Sequence, residues 1–327
     1  MQRCLDIAKN GLSAAMPNPS VGAVIVVKDR IIAEGFTSAF GGAHAEVNAI
    51  NAVASKSLLS QATMYVSLEP CSHFGKTPPC CDLIVKHKIP HVVVGCLDPN
   101  PKVSGAGIQR MMDAGIVIDV GVLEQECRES NKRFFSFFEK KRPFIILKWA
   151  QSSDRFLSPK HRIDASPVWL TNQYSRQLVH KWRTEEMAIL IGSQTAIDDN
   201  PSLTARDWSG KNPIRLLIDK DNRVPRNAKI FDNPAETIVL NHDNIDFETG
   251  VVQQILDLLY QKNLQSVIVE GGAKTLQSFI DANFWDEARI FESQKQLFDG
   301  TKAPIFSGEL FKNKTILTDK LSIYKNL

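Results

Sequence analysis

Met64-Tyr65-Val66-Ser67-Leu68-Glu69-Pro70-Cys71 is an apolar run that stops at a proline and a cysteine. Upstream lies Gly41-Gly42-Ala43-His44-Ala45-Glu46-Val47-Asn48-Ala49, and downstream Pro78-Pro79-Cys80. Met64 to Leu68 reads as a short strand. Glu46, Ile50, Val53 and Ala54 carry one helix, and a second runs from near Pro79 to His87 with proline in its first turn. This places His44 and Cys80 at helix starts and Cys71 just past a strand end. Backbone N–H groups at helix starts favour thiolate over thiol, the form a metal needs. One imidazole and two thiolates suit zinc, and three protein ligands leave the fourth tetrahedral position open, the pattern of a catalytic site. Glu46 is not needed as a ligand and can carry a proton beside the metal. Cys81 competes with Cys80, but one further helical step turns its side chain about 100° away. Cys80 is therefore the expected ligand and Cys81 a core residue; His73, His87 and His91 are not needed.

Outward from this stretch, Cys4, Leu5, Ala8 and Leu12 predict a short amphipathic helix, ended at Met16-Pro17-Asn18-Pro19. Val21 to Val27, a turn at Lys28-Asp29-Arg30, and Ile31 to Gly35 predict a hairpin. Then come a strand at His91 to Gly95, a helix from Gly107, a strand at Ile116 to Val120 and one longer helix from Leu123 to Phe138. A hairpin followed by alternating helices and strands implies a mixed sheet covered on both faces. The charged run Glu139-Lys140-Lys141-Arg142-Pro143 marks a domain boundary, so the domains are expected at 1–139 and 143–327. Beyond it strands are expected at 144–149, 188–191, 214–219, 237–241 and 267–270, with helices at 172–183, 251–262 and 274–282. The second domain is α/β as well.

With 327 residues, 43% hydrophobic and 23% charged, the chain has the composition of a two-domain soluble protein. A net charge of +3 gives no reason to expect a nucleic-acid or membrane surface. Six scattered cysteines argue for a reducing compartment rather than a disulfide framework. Arg3, Asp6 and Lys9 break the first twelve residues as a signal or transmembrane segment. The expected location is the cytoplasm.

A His-x-Glu followed by Pro-Cys and a further cysteine is the layout of zinc-dependent base deaminases, although their usual cysteine spacing is two residues and not eight. Such chemistry is hydrolytic: hydroxide, available near pH 7 because zinc lowers the pKa of water to about 7, displaces an amine from an amidine-like ring carbon.

The chain also resembles the bifunctional riboflavin-biosynthesis deaminase/reductase family. The likeness rests on Pro17-Asn18-Pro19-Ser20-Val21-Gly22-Ala23-Val24, the His44 run, Leu68 to Cys80 with its long gap between cysteines, and Asp98-Pro99-Asn100-Pro101. In the second half it rests on Leu147-Lys148-Trp149-Ala150, Asp198 to Arg206, and Val269-Glu270-Gly271-Gly272. The resemblance implies a cytidine-deaminase-like three-layer α/β/α domain followed by a dihydrofolate-reductase-like domain. It implies loss of the 2-amino group from a diaminopyrimidinone ribosyl phosphate, then NADPH-dependent reduction of ribosyl to ribityl. It also implies zinc on His44, Cys71 and Cys80, a proton shuttle at Glu46, and contacts to the deaminase substrate from Asn18, His73 and Lys76. In the reductase domain it implies cofactor contacts at Trp169, Thr195, Asp199, Gly271 and Gly272, and substrate contacts at Lys148, Arg183, Leu203, Arg206 and Glu270. The partners so implied are a phosphorylated pyrimidine and, as a homodimer, a second copy.

Physically, no G-x-G-x-x-G follows a first strand, so a standard dinucleotide fingerprint is absent. Gly271-Gly272 at a strand end before a helix can hold a phosphate with backbone N–H groups. Arg183 and Arg206, which the resemblance places at the substrate, suit its phosphate by forked hydrogen bonding; without the resemblance each reads as a solvated surface charge. Lys148 either polarises the sugar carbonyl or snorkels at a sheet edge. Three positions depart from the family: Arg155 replaces a glycine, Thr37 a histidine and Pro167 a serine, with Ser166 one place earlier. A nucleic-acid base deaminase is the rival reading, disfavoured by the low net charge, and a deaminase with a decayed reductase half is another, motivated by Arg155.

Overall fold

The computed structural model describes residues 1–74, 78–101, 104–161 and 167–326. The chain divides into two units, Met1–Lys141 and Arg142–Leu327.

In the first unit, α1 (Gln2–Ala8) and α2 (Leu12–Ala15) precede a hairpin of β1 (Gly22–Val27) and β2 (Arg30–Phe36). There follow α3 (Ala45–Ala52), β3 (Thr63–Val66), α4 (Cys80–Lys86), β4 (His91–Val94), α5 (Ala106–Asp113), β5 (Val117–Val120), α6 (Glu124–Ser130) and α7 (Lys132–Lys140). The sheet order is β2-β1-β3-β4-β5. The hairpin is antiparallel, β1 pairs antiparallel with β3, and β3, β4 and β5 run parallel. This is the mixed sheet that the alternating pattern predicts. Ile25, Met64, Val66, Val92 and Val94 on one face bury against Ile50 of α3 and Ile84 of α4. On the other face Val24 packs with Cys4 and Ile7 of α1. α3 approaches β2 so closely that a Cβ on Gly35 would lie 2.3 Å from Ala49 N. A glycine there lets the helix headed by His44 sit down on the sheet.

One expectation fails in this unit. The helix expected over Leu123 to Phe138 is two helices, broken at Asn131. The buried Asn131 amide accepts from Ser20 N at 2.9 Å and donates to Ser20 O at 3.1 Å. Those two bonds satisfy both the backbone N–H and the carbonyl of buried Ser20, 111 residues away. The residue itself leaves the helical region, at φ −114° and ψ 27°. Apolar periodicity runs across the break and carries no sign of it.

In the second unit β6 (Phe144–Gln151), β7 (Phe156–Pro159), α8 (Gln173–Glu185), β8 (Ala188–Gly192), α9 (Ser193–Asp199), β9 (Ile214–Ile218) and β10 (Thr237–Leu240) are followed by α10 (Val251–Gln261), β11 (Ser266–Gly271), α11 (Ala273–Asp281), β12 (Glu287–Glu292), β13 (Gly300–Lys302), β14 (Glu309–Ile316) and β15 (Asp319–Lys325). The main sheet runs β10-β9-β8-β11-β6-β12-β15-β14. From β10 to β12 neighbours are parallel; β15 and β14 add antiparallel. Strands buried on both faces read as continuous apolar runs. β6 shows this: Ile145, Leu147 and Trp149 enter one core cluster, Phe144 and Ile146 another. Asn172 caps α8, its side chain accepting from Tyr174 N and Ser175 N. Because β6 lies between β11 and β12, Lys148 is not at a sheet edge, and the snorkelling alternative is overturned.

Candidate functional site

In the first unit the chain leaves the carboxyl end of β3 and reaches Cys71 five residues later, where parallel-sheet folds place ligands. His44 is the N-cap of α3 and Cys80 the first residue of α4. His44 Nδ1 lies 3.6 Å from Cys71 Sγ and 3.4 Å from Cys80 Sγ. Among the described residues these side chains form the one cluster able to hold a metal ion, with ligand atoms within 4.8 Å of one another. Tetrahedral zinc with Zn–S near 2.3 Å and Zn–N near 2.05 Å requires S···N separations of about 3.6 Å. The donor set and its spacing therefore fit zinc. Cys80 N donates to Cys71 Sγ at 3.3 Å, the helix-start N–H that the sequence calls for. Hydrogen bonds from the Cys80 thiol and from His44 hold the Cys71 thiol well below the usual thiol range. Cys81 is fully buried in the core, its thiol turned to Asp82.

Glu46, in the first turn of α3, is 4% exposed. Burial, and the neighbouring Cys71 charge, push its carboxyl up to about 7, against the opposing pull of His44. A carboxyl poised there is suited to taking and returning a proton near neutral pH. Asn18 is half-buried in the turn after α2, its N–H donating to Ala15 O at 2.9 Å, and His73 is exposed. Lys76 lies outside the described residues. Thr37 is buried and accepts from Val21 N at 3.0 Å, a structural duty.

In the second unit Lys148, Arg183 and Glu270 come together. Arg183 donates Nε to Glu270 Oε1 at 3.2 Å, Nη2 to Glu270 Oε2 at 2.8 Å, and Nη1 to Thr204 O at 3.1 Å. Lys148 Nζ stands 3.8 Å from Glu270 Oε2. Burial would raise the Glu270 pKa, but Arg183 and Lys148 outweigh it and hold the carboxyl at about 2. Burial lowers Lys148, against the attraction of Glu270. Arg183 thus closes its fork on protein, whereas Arg206 is exposed and donates to Ser202 Oγ at 3.3 Å. Leu203, at φ 55°, buries its side chain in a core cluster. His180, three residues before Arg183, joins this group unforeseen. It is buried, 3.3 Å from Asp207, and burial together with Arg183 and Arg206 lowers it to about 4. Its spacing from Arg183 on one helix face is the signal that would have found it.

The glycine pair ends β11 beside the end of β8. Gly271 has φ +138°, and a Cβ on Gly272 would lie 3.0 Å from Thr195 Oγ1. Thr195 and the glycines therefore share one cradle, narrow and open-backboned, of a kind that fits a phosphate-bearing cofactor. Asp199 ends α9. Trp169 is exposed, with the Arg176 guanidinium 4.5 Å over its ring and Lys295 donating to its carbonyl. Pro167 is half-buried; Ser166 lies outside the described residues.

Known proteins divide in the same way. Residues 1–96 match the cytidine and deoxycytidylate deaminase zinc-binding region, and residues 143–324 match the RibD C-terminal domain. The riboflavin biosynthesis protein RibD of Aquifex aeolicus is 39% identical, covering 92% of this chain and 87% of its own length. RibD of Bacillus amyloliquefaciens is 36% identical, covering 96% and 88%. The crystal structure of a Thermotoga maritima diaminohydroxyphosphoribosylaminopyrimidine deaminase/5-amino-6-(5-phosphoribosylamino)uracil reductase superposes with a TM-score of 0.90 at 36% identity, covering 100% of this chain and 97% of that one. Acinetobacter baumannii RibD superposes with the same score at 30% identity.

Proposed function

The chain belongs to the RibD family of riboflavin-biosynthesis proteins, joining a cytidine-deaminase-like zinc-binding domain to a dihydrofolate-reductase-like one, and on that premise we propose which residues perform its two reactions. The protein is a bifunctional deaminase and reductase acting on a small pyrimidine. The proposed first substrate is 2,5-diamino-6-ribosylamino-4(3H)-pyrimidinone 5′-phosphate. The observation that carries the reading is the His44, Cys71 and Cys80 cluster with the buried Glu46 beside it.

His44, Cys71 and Cys80 hold zinc. When bound there, zinc supplies a Lewis acid that makes water nucleophilic at neutral pH. Glu46 takes a proton from the attacking water and returns it to the departing amine, which leaves as ammonia while oxygen stays on the ring. Asn18, His73 and Lys76 orient the ring and its phosphate.

In the second domain the ribosyl C1′ gains a hydride and its oxygen a proton. The cofactor is NADPH, which supplies the hydride when bound. Thr195, Asp199, Trp169 and the Gly271-Gly272 backbone hold it. Lys148, a buried cation on the central strand, directs its charge at the sugar oxygen; Glu270 and Arg183 keep it in place. Arg206 meets the phosphate. Two copies form a homodimer in the cytoplasm. The six cysteines, none of them joined in a disulfide, support a reducing compartment, and the exposed edge strand β14, with Leu310 and Phe311, supports self-association.

A coupled assay tests the proposal. The diaminopyrimidinone phosphate should release ammonia without NADPH and without RNA. A zinc chelator should stop that step but leave NADPH oxidation intact when the deaminated intermediate is supplied. Deamination that survives complete zinc removal would overturn it.

A further inference from the structure

Helix α5 begins without a cap of its own: Gly105, at φ +76°, precedes it and no side chain of its own first turn caps it. The leading N–H groups of a helix need partners, and these find theirs 36 residues upstream. Glu69, 4% exposed, accepts from Gly105 N at 3.0 Å and Asp98 N at 3.3 Å through Oε2, and from Gly107 N at 3.2 Å through Oε1. A carboxylate suits the positive end of a helix dipole. The Glu69 N–H donates to Cys96 O at 3.0 Å. Gly107 seats the helix start directly on Pro70, where a Cβ would lie 2.2 Å from Pro70 O. Glu69 and Pro70 immediately precede Cys71. On its other side Cys71 is gripped by α4, whose Cys81 N donates to Cys71 O at 3.2 Å and whose Cys80 N donates to Cys71 Sγ at 3.3 Å. Cys71 is thus suspended between two helix starts, and Glu69 is the link to one of them.

We infer that Glu69 is a positioning residue of the zinc site: by capping α5 from a distance it fixes the Pro70–Cys71 segment, and so aims the Cys71 thiolate at His44 and Cys80. It is no ligand, because backbone N–H groups occupy both carboxylate oxygens. A glutamine would accept through one oxygen only and turn its own N–H₂ toward backbone donors. The inference rests on the reading of His44, Cys71 and Cys80 as zinc ligands.

The test compares full-length wild type, Glu69→Gln and Gly107→Ala. Zinc affinity is measured by competition with a chromogenic chelator, thiolate geometry by the absorption of the Co(II)-substituted protein, and folding by circular dichroism of the metal-free chain. Removing a partner that orients a metal ligand typically weakens affinity about 10- to 100-fold. Glu69→Gln is expected to lose that much zinc affinity and to shift the Co(II) bands, with unchanged dichroism. Gly107→Ala keeps the carboxylate but drives a methyl group into Pro70, and is expected to move in the same direction. A folded Glu69→Gln with wild-type affinity and Co(II) spectrum overturns the inference. Should Glu69→Gln not fold, wild-type affinity in Gly107→Ala overturns it. A wild-type chain that takes up no zinc overturns the ligand reading and this inference together; zinc in the wild type with unchanged variants overturns this inference alone.

Discussion

Arg183 turns its fork on Glu270, at 3.2 and 2.8 Å, with both side chains buried, and Lys148 stands 3.8 Å from the same carboxylate. One buried anion therefore answers two buried cations. Deleting the shared anion leaves uncompensated charge, at a cost of about 3–5 kcal/mol. Glu270→Gln, which leaves Lys148 and Arg183 without their carboxylate, is expected to destabilise the second unit by that amount. All five tryptophans, Trp149, Trp169, Trp182, Trp208 and Trp285, lie in the second unit. Fluorescence during urea unfolding thus reports on it alone. A loss below about 1 kcal/mol, the value of an exposed pair, would contradict the buried arrangement.

Acid should weaken the same unit in two overlapping windows. His180 is lowered from 6.5 to about 4, so the unfolded chain takes up a proton first and stability falls as pH drops from about 6.5 to about 4. Glu270 is lowered from 4.5 to about 2, so its contribution is complete above about 4.5 and is lost as pH falls toward 2. His180→Gln should flatten the upper window in pH-dependent urea midpoints and leave the lower one. A variant as acid-sensitive as wild type between pH 6.5 and 5 would contradict the assignment.

Arg155 occupies φ +65°, left-handed backbone in which an L-residue costs about 1–2 kcal/mol. The turn keeps its form regardless: Arg155 N donates to Ser152 O, its carbonyl accepts from Ala303 N, and Asp154 accepts from Leu297 N and Phe298 N. A side chain has replaced the expected glycine without unmaking the turn. Arg155→Gly should raise stability by up to about 1 kcal/mol, less the entropy a glycine adds to the unfolded chain. A destabilised variant would show that the arginine side chain contributes more than its backbone costs.

Glu46→Gln should lower deamination about 10²- to 10⁴-fold, the usual value of a positioned proton carrier, with zinc content unchanged. Measuring ammonia release and metal on one preparation separates the two effects. Turnover that survives with zinc bound would remove Glu46 from the proton path.

The sequence was legible where local chemistry and burial agree. The hairpin, the helix starts at His44 and Cys80 and the strands buried on both faces follow from apolar runs and flanking residues. The eight-residue gap between the cysteines pointed to one family. What stayed hidden depends on distant partners. Asn131 breaks a helix for the sake of Ser20, and Glu69 caps a helix 36 residues on. β12 hides among charged residues because Glu287 and Arg289, both buried, pair with each other at 2.5 Å. β14 is exposed along nearly all its length, so it has no alternation to read. In the second site, the family resemblance implies a phosphate contact for Arg183, yet its fork is closed on Glu270.

The metal centre stands on Cys80, and not its neighbour Cys81, as the third ligand. Zinc content per chain, measured by metal analysis on wild type, Cys80→Ser and Cys81→Ser after dialysis against a weak chelator, tests it directly. About one zinc is expected in wild type and in Cys81→Ser, and its loss in Cys80→Ser. Zinc retained by Cys80→Ser and lost from Cys81→Ser would contradict it.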